Sequence, residues 1–201
     1  MARNTLSRSL HDVGLAAWFG GTLANAVSLN AAAGEAGTAS RTGAVANEGW
    51  NRWTPVNAIA IGAHLVGSIG QIGGNKERMA QQQGVAAMST AKTALTVAAL
   101  AVTGYSRVLG QRVNAAGAVP SRFGTKPTKR TRADVAAAQE QLDRLQWVIP
   151  ALTGALVAIS SYAGEQQRPG EVARGMAAKS TVTTGNVASD AITTAGVGTR
   201  S

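Results

Sequence analysis

No cysteine occurs in the 201 residues. That excludes a disulfide framework, a thiolate metal site and a cysteine nucleophile. Two histidines and ten acids leave little material for a zinc or calcium cage. Aromatics make up 4% of the chain and charged residues 14%, where an average soluble domain carries about 25% charge. Composition of this kind does not describe a fully disordered chain. GxSxG and HExxH are both missing, and no apolar stretch holds a pair of carboxylates, so no catalytic set emerges. The expectation is a protein that is not an enzyme and that holds no metal or cofactor.

Small residues and positive charge are abundant instead. Alanine occurs 40 times and glycine 24 times, and the net charge is +9. A pI near 11.1 points to an anionic partner, either lipid or nucleic acid. Where the charges sit decides between them.

The charges avoid four stretches. None lies among the 22 residues between Asp12 and Glu35, the 23 between Arg52 and Lys76, or the 20 between Arg144 and Glu165. From Met79 to Ser106, 28 residues carry only Lys92. Spans of about 13–33, 56–74, 85–105 and 145–163 cover 80 residues with a single charge, where about 11 would fall by composition alone. An ion loses its hydration in hydrocarbon, at about 2.5–3.5 kcal/mol per residue on insertion scales. About 20 helical residues cross a core about 30 Å thick. The pattern predicts an all-α protein, a four-helix antiparallel transmembrane bundle over 1–163 in a cell membrane, multi-pass. A low-complexity, disordered tail over 164–201 follows, with at most a short helix near Glu171–Lys179. The soluble alternative is an Ala-rich helical scaffold with helices apolar all round.

Between the spans, Gly34–Trp53 reads as a loop and Gly73–Gly74 as a helix stop. In the basic loop 106–144, Gly117, Pro120, Gly124 and Pro127 break the helix. Thr131 with Asp134 resembles a capping box. A polar helix then runs from Asp134 into the fourth span, with Val135, Leu142, Leu145 and Ile149 on one face. Trp50, Trp53, Tyr105 and Trp147 fall at span ends on one side and Trp18 and Tyr162 toward the other, as an interfacial belt would. Lys and Arg number 8 in the segments on one side and 10 on the other, which leans the basic loop toward the cytoplasm.

Three groups of residues stand out. Arg122, Lys126, Lys129, Arg130 and Arg132 are positioned to meet anionic lipid headgroups, at about 1 kcal/mol each. Phe123 is the one aromatic among them and no nucleic-acid module surrounds it, so nucleic acid is not an expected partner. His64 lies near the middle of the second span, and an intramembrane ionisable group is a functional candidate. Lys92 is inside the third span, because Thr93–Ser106 is only 14 residues, about 21 Å of helix. An antiparallel pair would let His64 and Lys92 face each other, with Asn25 joining them. His11 precedes the first span and reads as interfacial, out of reach of His64. Finally, Ala16, Gly20 and Ala24, then Ala63 and Gly67, then Gly70 and Gly74, recur every four residues. Small residues at this spacing let helix backbones pack closely, within the chain, with a second copy or with a membrane-complex partner.

The segment His11–Gly21, HDVGLAAWFGG, resembles the opening of small four-helix integral membrane proteins of high-GC actinobacteria, which implies a bacterial source. It is also similar to the first helix of copper-resistance D-like membrane domains, where a histidine precedes a Trp-x-Gly-Gly stretch. The copper families imply metal transport. This chain lacks their further histidines and methionine pairs, so no metal ligand follows from the likeness. The favoured reading is a non-enzymatic structural or accessory membrane subunit. The alternative is a small transporter or channel using His64 and Lys92.

Overall fold

Alanine, leucine and other unbranched residues dominate the chain and favour helix, and a computed structural model shows an all-helical fold. It describes residues 4–74, 76–82, 84–117, 119–165, 168, 170–178 and 180–181. Helix α1 covers Thr5–Ala24, continues through a π-helical turn at Asn25–Leu29, and resumes as α2, Asn30–Gly34. After a four-residue turn comes α3, Ala39–Gly74. The short α4, Lys76–Gln81, leads to α5, Val85–Ala115. A folded loop precedes α6, Ala133–Glu165, and 170–178 is also helical.

The four long rods pair as two hairpins. The α1–α2 rod lies along α3, and α5 lies along α6. Contacts between α1 and α6 join the hairpins. At the centre Trp18, Ala60, Ala99 and Ile149, one from each rod, form a single buried cluster. A second cluster at the end bearing the 119–132 loop brings together Leu109, Val113, Val119, Val135 and Ala138.

Among the described residues, length and hydropathy fit three helices to cross a membrane: α3, α5 and α6. The stretches 56–74, 85–105 and 145–163 each lie inside one of them. The first rod is not of that kind. It carries Arg8, His11 and Asp12 in its second and third turns, and the π turn interrupts it.

Two expectations about boundaries need correction. Gly34–Trp53 is not a loop, because α3 already begins at Ala39, and Pro55 sits inside the helix. Glu48 and Arg52 pair at 2.6 Å across one turn there, and Thr42, Gly43 and Ala46 are buried against neighbours. Thr131 is not a cap of α6. Its hydroxyl donates to the Pro120 carbonyl at 3.1 Å and accepts from the Thr128 amide. Asn4 stands at the start of α1 without capping it, since its side-chain amide donates instead to the Gly70 carbonyl at 3.1 Å.

The 119–132 loop is a plug and not a loose connection. The Ser121 amide donates to the Ala39 carbonyl. The buried Ser121 hydroxyl lies 2.6 Å from the Gly124 carbonyl and 3.0 Å from that of Lys126. Gly124 adopts a left-handed φ of 47°. A Cβ on it would also strike the Asn30 side chain. Under this plug, buried Asn30 donates to Gln146 and accepts from the Trp50 indole N–H at 3.1 Å. Gln146 in turn donates to the Asp143 carboxylate, which also accepts from Thr125 at 2.9 Å. Of the sequence beyond 164, residues 182–201 lie outside the described residues, and so does the expectation made for them. The 170–178 helix is set against the turn before α5, where a Cβ on Gly175 would come within 2.7 Å of Gln82.

Candidate functional site

Two glycines set the register of the first hairpin. A Cβ on Gly14 would lie 2.5 Å from the Ala60 oxygen and the His64 nitrogen. One on Gly67 would lie 2.2 Å from the His11 nitrogen. Backbones that approach this closely fix which residues stand side by side. Residues 4–21 of the first rod run beside 53–74 of α3, as the contacts of Asn4 with Gly70 and Gly74 and of Gly21 with Trp53 also show. The charge-free window 13–33 is therefore displaced from the apolar stretch 56–74. Arg8, His11 and Asp12 stand level with the apolar part of α3.

This register corrects the placing of His11. It is not apart from His64: the two rings are 4.6 Å apart at 45°, and both residues are buried. His11 Nδ1 lies 2.7 Å from the Asp12 carboxylate. With the carboxylate accepting, Nδ1 carries the hydrogen, and in the neutral ring Nε2 is then the acceptor. That Nε2 is buried without a hydrogen-bond partner. His64 Nδ1 is 3.5 Å from the His11 carbonyl, and its Nε2 is 3.4 Å from the Thr96 hydroxyl on α5, both long contacts. Lys92, one turn before Thr96, is half-buried and close enough for its charge to act on His11, His64 and Asp12. His64 thus sits between His11 on α1 and Thr96 on α5, with Lys92 one turn from Thr96.

Asn25 does not join them. It lies 14 residues beyond His11, about 21 Å along the helix. Its place is in the π turn near the plug, where its side-chain nitrogen is buried without a partner. What the centre can do chemically is hold and pass a proton at His11 Nε2 and the adjacent imidazole. Among the described residues no group of three or more His, Cys, Asp or Glu could hold a metal ion.

The small-residue stripes divide. On α3, Ala63, Gly67, Gly70 and Gly74 all face α1. On α1, however, Ala16, Gly20 and Ala24 are exposed, and nothing lies within 4 Å of a Cβ placed on Gly20. The buried residues of that helix are His11, Gly14, Leu15, Trp18 and Thr22. At 3.6 residues per turn the Ala16–Gly20–Ala24 stripe falls on the opposite side. Close packing within the chain uses Gly14 and Gly21 instead.

The aromatic belt is also only partial. Trp18 is wholly buried in the four-rod core, with its ring centre 6.1 Å from that of His64. Trp50 and Trp53 turn inward, to Asn30 and Gly21. Tyr105, Trp147 and Tyr162 are about half exposed or more.

All five cations of the basic loop, Arg122, Lys126, Lys129, Arg130 and Arg132, are exposed. Arg132 pairs with Asp134 at 2.8 Å. Arg122 and Lys126 join Arg144 around a surface hollow of about 450 Å³ that also holds Glu140 and Asp143. Sequence reasoning passed over Asn30, Gln146 and Ser121, which carry the buried polar network of this end. Polar residues inside or beside apolar runs were the only signal for them. No protein-family model matches the chain, and neither a curated protein nor a solved structure matches it.

Proposed function

We propose that the chain is a multi-pass integral membrane protein of a bacterial cell membrane. In this reading it is a non-enzymatic structural or accessory subunit whose four rods all cross the bilayer. One observation carries this: large apolar side chains stand on the outside of the bundle while polar ones are buried beside the apolar core. Val56, Ile59, Val66 and Ile69 of α3 and Val97 of α5 are 50–74% exposed, whereas His64, Asn57, Gln146 and Thr153 are buried. A bundle in water sorts the other way. In lipid, apolar side chains face the tails and polar ones bond across helices.

The outward stripe of Ala16, Gly20 and Ala24 offers a flat face for a helix of a second copy or of a membrane-complex partner. The cations of the plug would meet anionic headgroups at the surface; the reading has no role for nucleic acid. Membranes washed with alkaline carbonate test the proposal. The protein should stay in the pellet and leave only with detergent. Release by carbonate, as a monodisperse helical particle in plain buffer, would establish the soluble scaffold in its place.

The His11–His64 contact favours a second reading, a small transporter or channel that moves a proton or small solute past His64 and Lys92. Ionisable groups level with apolar helix are costly to keep, and His11 Nε2 is buried without a partner.

A further inference from the structure

A cavity of about 150 Å³ opens between α3, α5 and α6 beneath the plug. We propose that it is a binding site for a small organic monoanion, a carboxylate on an apolar body of roughly six non-hydrogen atoms, since a cavity of about this volume takes up benzene. The site is separate from the histidine centre and does not depend on the membrane reading.

Its walls supply both halves of such a ligand's recognition. Trp50, Trp53 and Ile149 provide flat apolar surface. Among the described residues, Arg107 is the only charged one lining the cavity. Its guanidinium donates to Asn51 at 2.9 Å and forms no ion pair among the described residues. Asp143 stands behind Thr125 and Gln146, with its carboxylate already accepting from both. A guanidinium has five N–H donors in a planar fork that matches a carboxylate, so Arg107 keeps donors to spare. Polar wall surface beside it comes from Asn47, Thr54 and Asn114. One cation suits a monoanion. A phosphate dianion would remain half neutralised.

The probes are benzoate and its neutral counterpart benzamide, titrated by calorimetry and tryptophan emission against the full chain in detergent. Benzoate should bind saturably and at least about tenfold tighter than benzamide, as a charge-assisted pair requires. Arg107→Gln keeps a donor for Asn51 and should erase the difference. Gly110 lines the cavity, and nothing lies within 4 Å of a Cβ placed on it. Gly110→Leu should therefore fill the space and abolish binding of both probes while circular dichroism stays unchanged. Should that variant fail to fold, Gly110→Val narrows the same space and should weaken both probes. No saturable binding, equal affinity for the two probes, or undiminished binding in the filled or narrowed variant would overturn the proposal.

Discussion

Adding one methyl group at Gly67 and one at Gly20 should move stability in opposite directions. Both substitutions are glycine to alanine inside a helix, so both gain about 0.5–1 kcal/mol from reduced backbone freedom. They differ in what the new atom meets. At Gly67 it would lie 2.2 Å from the His11 nitrogen, 2.5 Å from the Ser7 oxygen and 2.7 Å from the His11 Cα. All three are backbone atoms, so no side-chain rotation relieves the clash. Ordinary contact begins near 3.4 Å, and α1 must therefore withdraw from α3 by more than 1 Å. Overpacking of this kind costs about 1–3 kcal/mol. The cost is steric and holds in lipid as in water. Net destabilisation of about 1–2 kcal/mol is expected for Gly67→Ala. Gly20→Ala meets nothing within 4 Å and should be neutral or stabilising by up to about 1 kcal/mol. Unfolding in mixed micelles of mild detergent and dodecyl sulfate, followed by circular dichroism, measures both. Equal stability of the two variants, or a Gly67→Ala protein more stable than the parent, would refute the close α1–α3 approach.

Trp18→Ala empties a wholly buried site touched by all four rods and should cost about 3–5 kcal/mol in the same assay. Asn30→Leu leaves Gln146 and the Trp50 indole short of a partner; a loss of about 1–3 kcal/mol is expected, with Trp50 emission shifted. His64→Leu and Lys92→Leu should leave proton flux into proteoliposomes unchanged if the protein is an accessory subunit. Loss of a flux the parent shows, with stability kept, would support the transport reading instead. Exchanging Arg122, Lys126, Lys129, Arg130 and Arg132 for glutamine should cut retained phosphatidylglycerol, counted by native mass spectrometry, by several-fold, at about 1 kcal/mol per cation near a membrane surface. Unaltered lipid retention would leave these cations without that role.

Helix was legible in the sequence wherever charge was missing, because such a stretch has few ways to satisfy its backbone other than helix. Helix ends were not. The charge-free windows report only the apolar part of α3, α5 and α6, while Ala39–Pro55 and Arg107–Ala115 are polar enough to pass for loop. These extensions are held by neighbours such as Asn51 with Arg107 and Asn114. Hence the plug end, with its buried Asn30 and Ser121, could not be read from local pattern. The centre was half legible. His64 and Lys92 stood out as ionisable groups in apolar runs. His11 did not, because its own surroundings in sequence are polar.

Composition by itself determined that the protein is helical, that stretches 56–74, 85–105 and 145–163 are long and apolar enough to lie in helices that could cross a membrane, and that cysteine chemistry is closed to it. Those properties follow from the residues each segment contains, whatever the segment touches. Register belongs to the tertiary structure alone. Whether Gly14 or Gly20 faces the partner helix, and whether His11 meets His64 or stands a full span away, depends on how far one rod slides past another. The close fit of backbone against backbone at Gly14 and Gly67 stops the slide.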